Sequence, residues 1–373
     1  MSIAHAKLSA SGSHRWLACP GSVKAEQGYK DQSSTFAQEG TAAHELADMC
    51  LKKETNTDKY LGDIVEGVTV DADMVEYVQQ YVDYVRSFKG EHFYEQKVEY
   101  SNWVKDGFGT SDAIVIEGNG KTVHVIDLKY GKGLPVDATE NTQGIMYALG
   151  VYQLFGDIYD TLETFVIHIY QPRIGNFSQW SISVLDLLRK GEWIAQQAEI
   201  ALTDDAPKVP GEKQCNWCKH KADCVDLNKY MHDIIAADFD DLDSPDAMPK
   251  ADLVKVYNHK SMITGWLDAI DKKILGGMLD GDTYPGLKLV AGRSLRKWAD
   301  EKIIETVLVQ ELGEKAYNKK LLSVAQAEKA LGKANKDKIT DYVIKPDGKP
   351  TVVPITDKRA PLGDVSDDFD KVE

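Results

Sequence analysis

The chain has 373 residues, 43% of them apolar and 28% charged, which supplies material for roughly two packed domains and excludes a disordered tail. Lys plus Arg number 44 against 59 Asp plus Glu, a net charge of −15, so the chain as a whole is not a uniformly basic polynucleotide coat. The charge is nevertheless split, because residues 247–363 carry 21 Lys/Arg against 15 Asp/Glu while the last ten residues are net acidic. A basic downstream stretch on an acidic protein can still meet a polyanion. No run approaches the ~18 apolar residues of a membrane span, and the opening MSIAHAKLSASGSHRWLACP lacks the zones of a signal peptide. A cytoplasmic protein without membrane association is expected. Five cysteines, an odd number in such a chain, point to metal or cluster ligation and away from a disulfide framework.

In chain order, 36–53 combines good helix formers with an apolar stripe, predicting an amphipathic helix that carries His44, and 72–88 reads the same way. The pattern then changes to period two in HFYEQKVEY, SDAIVIE and KTVHVIDLKY, with Gly118-Asn119-Gly120 as a hairpin turn between the last two runs. A three-stranded meander follows from this. Further on, a helix is predicted at 138–155, strands at 163–171 and 177–184, and a long helix at 185–203. This order of elements predicts an α/β fold with a mixed central sheet flanked by helices. Pro207, Pro210 and Gly211 lead into QCNWCKHKADC, and the acidic run at 238–246 reads as a solvated linker. The expected organisation is a first domain over 1–235, a linker over 236–249, a mostly helical, Lys-rich accessory domain over 250–363 and an acidic tail over 364–373.

In TVHVIDLKYG, strand alternation sends Asp127 and Lys129 to one face and Ile126 and Leu128 to the other. The hairpin places Asp112, in GTSD, on the neighbouring strand, so Asp112 and Asp127 can face one cation. Two carboxylates with open water positions suit Mg²⁺ or Mn²⁺, and Lys129 would orient a water or balance charge in the transition state. An Asp-x-Lys on a strand is common, and by itself it reads as an ion pair at a strand end. Gln143 and Tyr147 share a face of the later helix at i, i+4, and His44 offers a third type of metal ligand.

Gly40-x-x-x-His44, Gly109-x-x-Asp112, Asp127-x-Lys129 and Gln143-x-x-x-Tyr147, in that order, resemble the motifs of RecB-like nucleases of the PD-(D/E)XK superfamily, over about residues 8–226. The resemblance implies the restriction-endonuclease-like core. It also implies that His44, Asp112 and Asp127 bind the divalent metal, that Lys129 assists the attacking water, and that Gln143 and Tyr147 lie against the active site and DNA. Many relatives have Glu where this chain has Asp127, a ligand shorter by one methylene. Cys215-x2-Cys218-x5-Cys224, with the distant Cys19, forms a four-cysteine set that suits tetrahedral zinc or an iron–sulfur cluster, and spacing alone does not separate the two. One cysteine before the core and three after it resembles the iron staple of AddB-type helicase-nucleases and CRISPR adaptation nucleases, which implies a [4Fe-4S] cluster. Cys50 reads as a buried core residue.

The chain also resembles an uncharacterised family of phage and prophage proteins with the same core and an extra C-terminal region. What the resemblance implies is a DNA exonuclease acting on single-stranded or end-bearing DNA, among replication or recombination proteins in a bacterial host cell. The alternative is a scaffold that binds nucleic acid without cutting it.

Other motifs are decoys. Gly118-Asn119-Gly120-Lys121-Thr122 imitates the end of a P-loop but lies strand to strand, and His44-Glu45-Leu46-Ala47-Asp48 imitates H-E-x-x-H without the second His. In YPGLKLVAGRSLRKW, Lys288, Arg293, Arg296, Lys297 and Trp298 combine cations with an aromatic, as single-strand-binding grooves do. A packed Trp298 beside a solvated charged face is the plainer alternative.

Overall fold

The computed structural model describes residues 6–29, 35–239 and 248–288. The chain divides into two compact units, 1–280 and 281–373. The first unit contains short helices α1 (Ser13–Trp16) and α2 (Ser22–Ala25), α3 (Thr35–Lys52), a small hairpin β1 (Ile64–Val65) and β2 (Val68–Thr69), and α4 (Ala72–Arg86). These lead into β3 (Gly90–Glu99), β4 (Phe108–Glu117), β5 (Thr122–Leu128), α5 (Thr142–Phe155), β6 (Thr164–Gln171), β7 (Asn176–Ser183) and α6 (Val184–Ala201). The unit ends with α7 (Glu212–Asn216), α8 (Val225–Phe239) and α9 (Lys250–Leu279).

The fold is mixed α/β, as the element order predicts. The large sheet runs β3-β4-β5-β6-β7, antiparallel except for the parallel β5–β6 pair. A parallel pair cannot be joined by a tight turn, and α5 is its crossover. Strand alternation splits the sheet's side chains into two cores. Ile114, Ile116, Val123 and Val125 pack with residues of α5 and α6, while Ala113, Val115, Ile126 and Leu128 pack with α3 and α4. Helices therefore cover both faces.

The predicted helix at 138–155 begins at Thr142, because Asn141 caps it by accepting a hydrogen bond from the Gly144 N–H at 3.0 Å. Two glycines set α5 close to the sheet. A Cβ at Gly144 would lie 2.4 Å from Ile167 Cγ2, and one at Gly150 would lie 2.9 Å from Val98 Cβ. This close approach brings the first turn of α5 down to the end of β5. Helix α9 packs on α8 through Met262, Ile263 and Trp266 against Leu227, Met231 and Ile234, and Trp266 Nε1 donates to Asn228 Oδ1 at 2.8 Å. It thus belongs to the first unit, which extends past the acidic run. In the second unit, Leu287 and Lys288 are exposed; Arg293, Arg296, Lys297 and Trp298, the rest of the basic stretch and the acidic tail lie outside the described residues. No described helix is long and apolar enough to cross a membrane.

Candidate metal centre

Five elements deliver side chains to one place at the end of β5. His44 comes from α3, Glu95 from β3, Asp112 from β4, Asp127 and Lys129 from the end of β5, and Gln143 and Tyr147 from the first turns of α5. His44 Nδ1 lies 3.2 Å from Asp112 Oδ1, and Asp112 Oδ2 accepts from the Leu128 N–H at 2.7 Å. One carboxylate thus ties the helix on one face of the sheet to the neighbouring strand. Lys129 Nζ sits 3.2 and 3.0 Å from the two oxygens of Asp127 and donates to Gln143 Oε1 at 2.9 Å. Gln143 Nε2 donates in turn to Asp127 Oδ1 and to the Tyr147 hydroxyl, each at 3.1 Å.

The motif glycines divide in their reasons. A Cβ at Gly109 would lie 2.8 Å from the Tyr147 ring, so that glycine makes room for the tyrosine, whereas Gly40 faces open space.

Glu95 is the residue that sequence reasoning passes over. Its ligand oxygen, together with one ligand atom each from His44 and Asp112, falls within a mutual 4.8 Å. The β3–β4 ladder pairs Tyr94 with Ala113 and Gln96 with Ser111, which leaves Glu95 opposite Asp112. Its φ of 45° lies in the left-handed region, a strained setting for a non-glycine residue and one that clusters at functional sites. Cross-strand register with Asp112 was the signal available, had the β3–β4 pairing been readable.

The electrostatics favour a cation. Burial raises Glu95 first, then repulsion from Asp112 and Asp48, to about 7. Burial and Asp112 likewise push Asp127 up against the pull of Lys129. Burial would also raise Asp112, but His44, the Leu128 N–H and Lys129 hold it below the usual range. Burial disfavours charge on His44, yet Asp112, Asp127 and Glu95 outweigh it and lift the imidazole to about 9. Three carboxylates therefore face one imidazolium and one ammonium, a deficit of positive charge that a divalent ion would complete by taking the place of the His44 proton. The donor set of one imidazole and hard carboxylate oxygens suits Mg²⁺ or Mn²⁺. Asp127 Oδ2 is buried without a hydrogen bond of its own, with Lys129 Nζ as its neighbouring cation, so it is also available as a ligand.

At the other end of α1, Cys19, Cys215, Cys218 and Cys224 line one cavity together with His220 and Lys221. Backbone N–H groups point at three of the sulfurs, from Val209 to Cys19 at 3.2 Å, from Gly211 to Cys215 at 3.4 Å and from Leu227 to Cys224 at 3.4 Å. Burial pushes the Cys19 and Cys215 thiols up and carries Cys218 to about 12. Bound metal is what would deprotonate such buried thiols. Cys50 is fully buried in the core of α3 and α4.

The chain belongs to the family described as "Protein of unknown function (DUF2800)", whose profile matches residues 5–360. It is similar to the solved structure titled "Crystal structure of SSO0001" at 15% identity, covering 57% of this chain and 95% of that one with a TM-score of 0.24.

Proposed function

For this member of the DUF2800 family we propose metal-dependent hydrolysis of phosphodiester bonds in DNA, by an exonuclease acting on single-stranded or end-bearing molecules. The observation that carries the reading is the convergence of His44, Glu95 and Asp112 within ligand distance of one another, beside an Asp127–Lys129–Gln143 network. The ordered motifs that resemble RecB-like PD-(D/E)XK nucleases support it.

His44, Glu95, Asp112 and Asp127 would hold the ion. Bound Mg²⁺ or Mn²⁺ would polarise a phosphoryl oxygen and make water a nucleophile near neutral pH. Lys129 is kept charged, since Asp127 and Asp112 outweigh its burial, so its ammonium can orient a water and offset charge developing on the phosphate. Gln143 fixes that ammonium from the α5 side, and Tyr147 fixes Gln143. The four cysteines are proposed to hold a [4Fe-4S] cluster, with Zn²⁺ as the alternative occupant, joining residue 19 to the 215–224 loop. The basic stretch at 247–363 is proposed to add phosphate contacts, in a replication or recombination setting in a bacterial host cell.

The test is degradation of end-labelled single-stranded, linear duplex and closed circular DNA by anaerobically purified protein in Mn²⁺, with Lys129→Ala alongside. Loss of the single strand and the linear duplex, an intact circle and a drop of about 100-fold or more in Lys129→Ala are expected. No cleavage of any substrate by metal-loaded protein would replace the nuclease with a DNA-binding scaffold.

A further inference from the structure

Trp217 lies outside the metal centre, in the turn between Cys215 and Cys218. At 72% exposure it is the most open tryptophan among the described residues, although its backbone is held on both sides. Its carbonyl accepts from Arg15 Nη1 at 3.3 Å. The other arm of Arg15 pairs with Glu26 at 2.9 Å, and Glu26 Oε1 accepts from the Lys219 N–H at 2.7 Å. Cys218 N–H bonds back to the Cys215 carbonyl at 3.2 Å. An indole that gives up burial while its loop is clamped from two directions is a rigid, solvent-facing aromatic platform. Around it Lys213, Lys219 and Lys221 stand against Glu212, while Glu26 is paired with Arg15 and Asp223 with Lys273, on a chain whose net charge is −15.

The clamp also connects the platform to the metal centre. Arg15 belongs to α1, where Ser13 Oγ donates to Thr142 Oγ1 at 2.7 Å. Thr142 is the first residue of α5 and immediately precedes Gln143, which binds Lys129. Between Ser13 and Arg15, His14 is exposed, and the Lys129 charge is among those that, after burial and Arg15, hold its pKa down. A chain of contacts therefore runs from Lys129 and Gln143, through the buried Ser13, to Arg15 and Trp217, and His14 is the exposed residue of α1 above it.

We propose that the surface above this chain of contacts is a binding track for a single-stranded polynucleotide, in which Trp217 stacks on an unpaired base while the exposed side of α1, at His14, carries the backbone between the platform and the metal centre. The proposal rests on the nuclease reading for what happens at the far end of the track. An exposed indole face takes up a base only when that base is unpaired, and the stacking is sequence-tolerant because every base has a π-face. The lysines around the indole favour a phosphate backbone over a protein partner, whose anchoring aromatic would sit within an apolar patch.

The experiment measures fluorescence anisotropy of fluorescein-labelled oligo(dT) and of a blunt duplex hairpin in EDTA, where no cleavage occurs, with the full-length protein, Trp217→Ala and Trp217→Phe. Single-strand affinity is expected to fall about 5- to 150-fold in Trp217→Ala, with most of it retained in Trp217→Phe, and duplex affinity is expected to stay within about twofold. In Mn²⁺, Trp217→Ala should raise KM for long single strands while leaving kcat on thymidine 5′-(p-nitrophenyl phosphate), too short to reach Trp217, unchanged. Unchanged oligo(dT) affinity in Trp217→Ala overturns the track even where the wild-type protein cleaves DNA. An equal loss in the Phe and Ala variants also overturns it, since stacking would then not be the source. Trp217-dependent binding by a protein that cleaves nothing supports the track and refutes the nuclease reading instead.

Discussion

Under the α4 face of the sheet, four polar groups form a relay, buried at its two histidines, whose cost is measurable. Tyr84 OH lies 3.0 Å from His168 Nδ1, His168 Nε2 lies 2.9 Å from His124 Nδ1, and His124 Nε2 lies 3.1 Å from Glu117 Oε1. An ionised Glu117 only accepts, so His124 donates to it, His168 donates to His124, and Tyr84 donates to His168. Every ring nitrogen is then satisfied with both histidines neutral. Phe88, Tyr170 and Phe177 pack around the relay. Burial, and then the His124 neighbour, accordingly depress His168 from 6.5 to about 3. The unfolded chain takes up this proton first as pH falls through 6.5, so the stabilisation is complete above that value and is lost progressively toward pH 3. At about 1.4 kcal/mol per pH unit, His168 removes about 3 kcal/mol by pH 4.5, and about 5 kcal/mol over the whole window. Urea unfolding followed by tryptophan fluorescence at pH 7.5 and 4.5, for the wild-type protein and His168→Gln, reads the relay's contribution because the carboxylates and histidines outside it titrate in both. The variant is expected to be about 1–2 kcal/mol less stable at pH 7.5 and to lose this disadvantage at pH 4.5. A wild-type-to-variant difference that stays constant within about 0.5 kcal/mol would refute the neutral relay.

Glu95→Gln keeps the shape of the side chain and removes one carboxylate from the candidate metal centre. Calorimetric Mn²⁺ affinity should fall by at least the about 10- to 100-fold that loss of a mere outer-shell partner costs, and an unchanged affinity would remove Glu95 from the ligand set. For the cysteines, Cys19→Ser should strip iron and the brown colour from anaerobically purified protein, while Cys50→Ser, in the core of α3 and α4, should keep both. Zinc in place of iron in the wild-type protein would identify the alternative occupant.

The legible part of the fold was the part written in short periods. The Val123-to-Leu128 alternation separates Asp127 from Ile126 and Leu128, and Gly118-Asn119-Gly120, with Gly120 at φ 67°, marks the β4–β5 hairpin that places Asp112 beside Asp127. Helices α3, α5 and α6 carried apolar stripes long enough to read. Helices α1 and α2 span four residues each, too short for any periodicity. They are held instead by contacts such as Trp16 Nε1 to the Ser9 carbonyl at 3.0 Å and Ser13 to Thr142. The approach of Cys19 to the 215–224 loop depends on a long-range pairing, Gly21 N–H to the Pro207 carbonyl at 2.9 Å, which spacing does not encode.

Glu95 was missed for a related reason, and its setting shows how the site is assembled. The β3–β4 connection is longer than a two-residue hairpin. Its register is set by Tyr100, whose N–H bonds to the Gly107 carbonyl at 3.0 Å and whose hydroxyl donates to the Phe108 carbonyl at 2.8 Å. A Cβ at Gly107 would lie 2.6 Å from the Tyr100 ring, so the glycine admits the ring that fixes the register, and the register places Glu95 against Asp112. Repulsion between those two carboxylates and the left-handed φ at Glu95 both work against the apo fold. A divalent cation between them would remove the first cost and give a use to the second. A metal bound there would stabilise the β3–β4 end of the sheet, since any ligand that binds only the folded state adds to its stability.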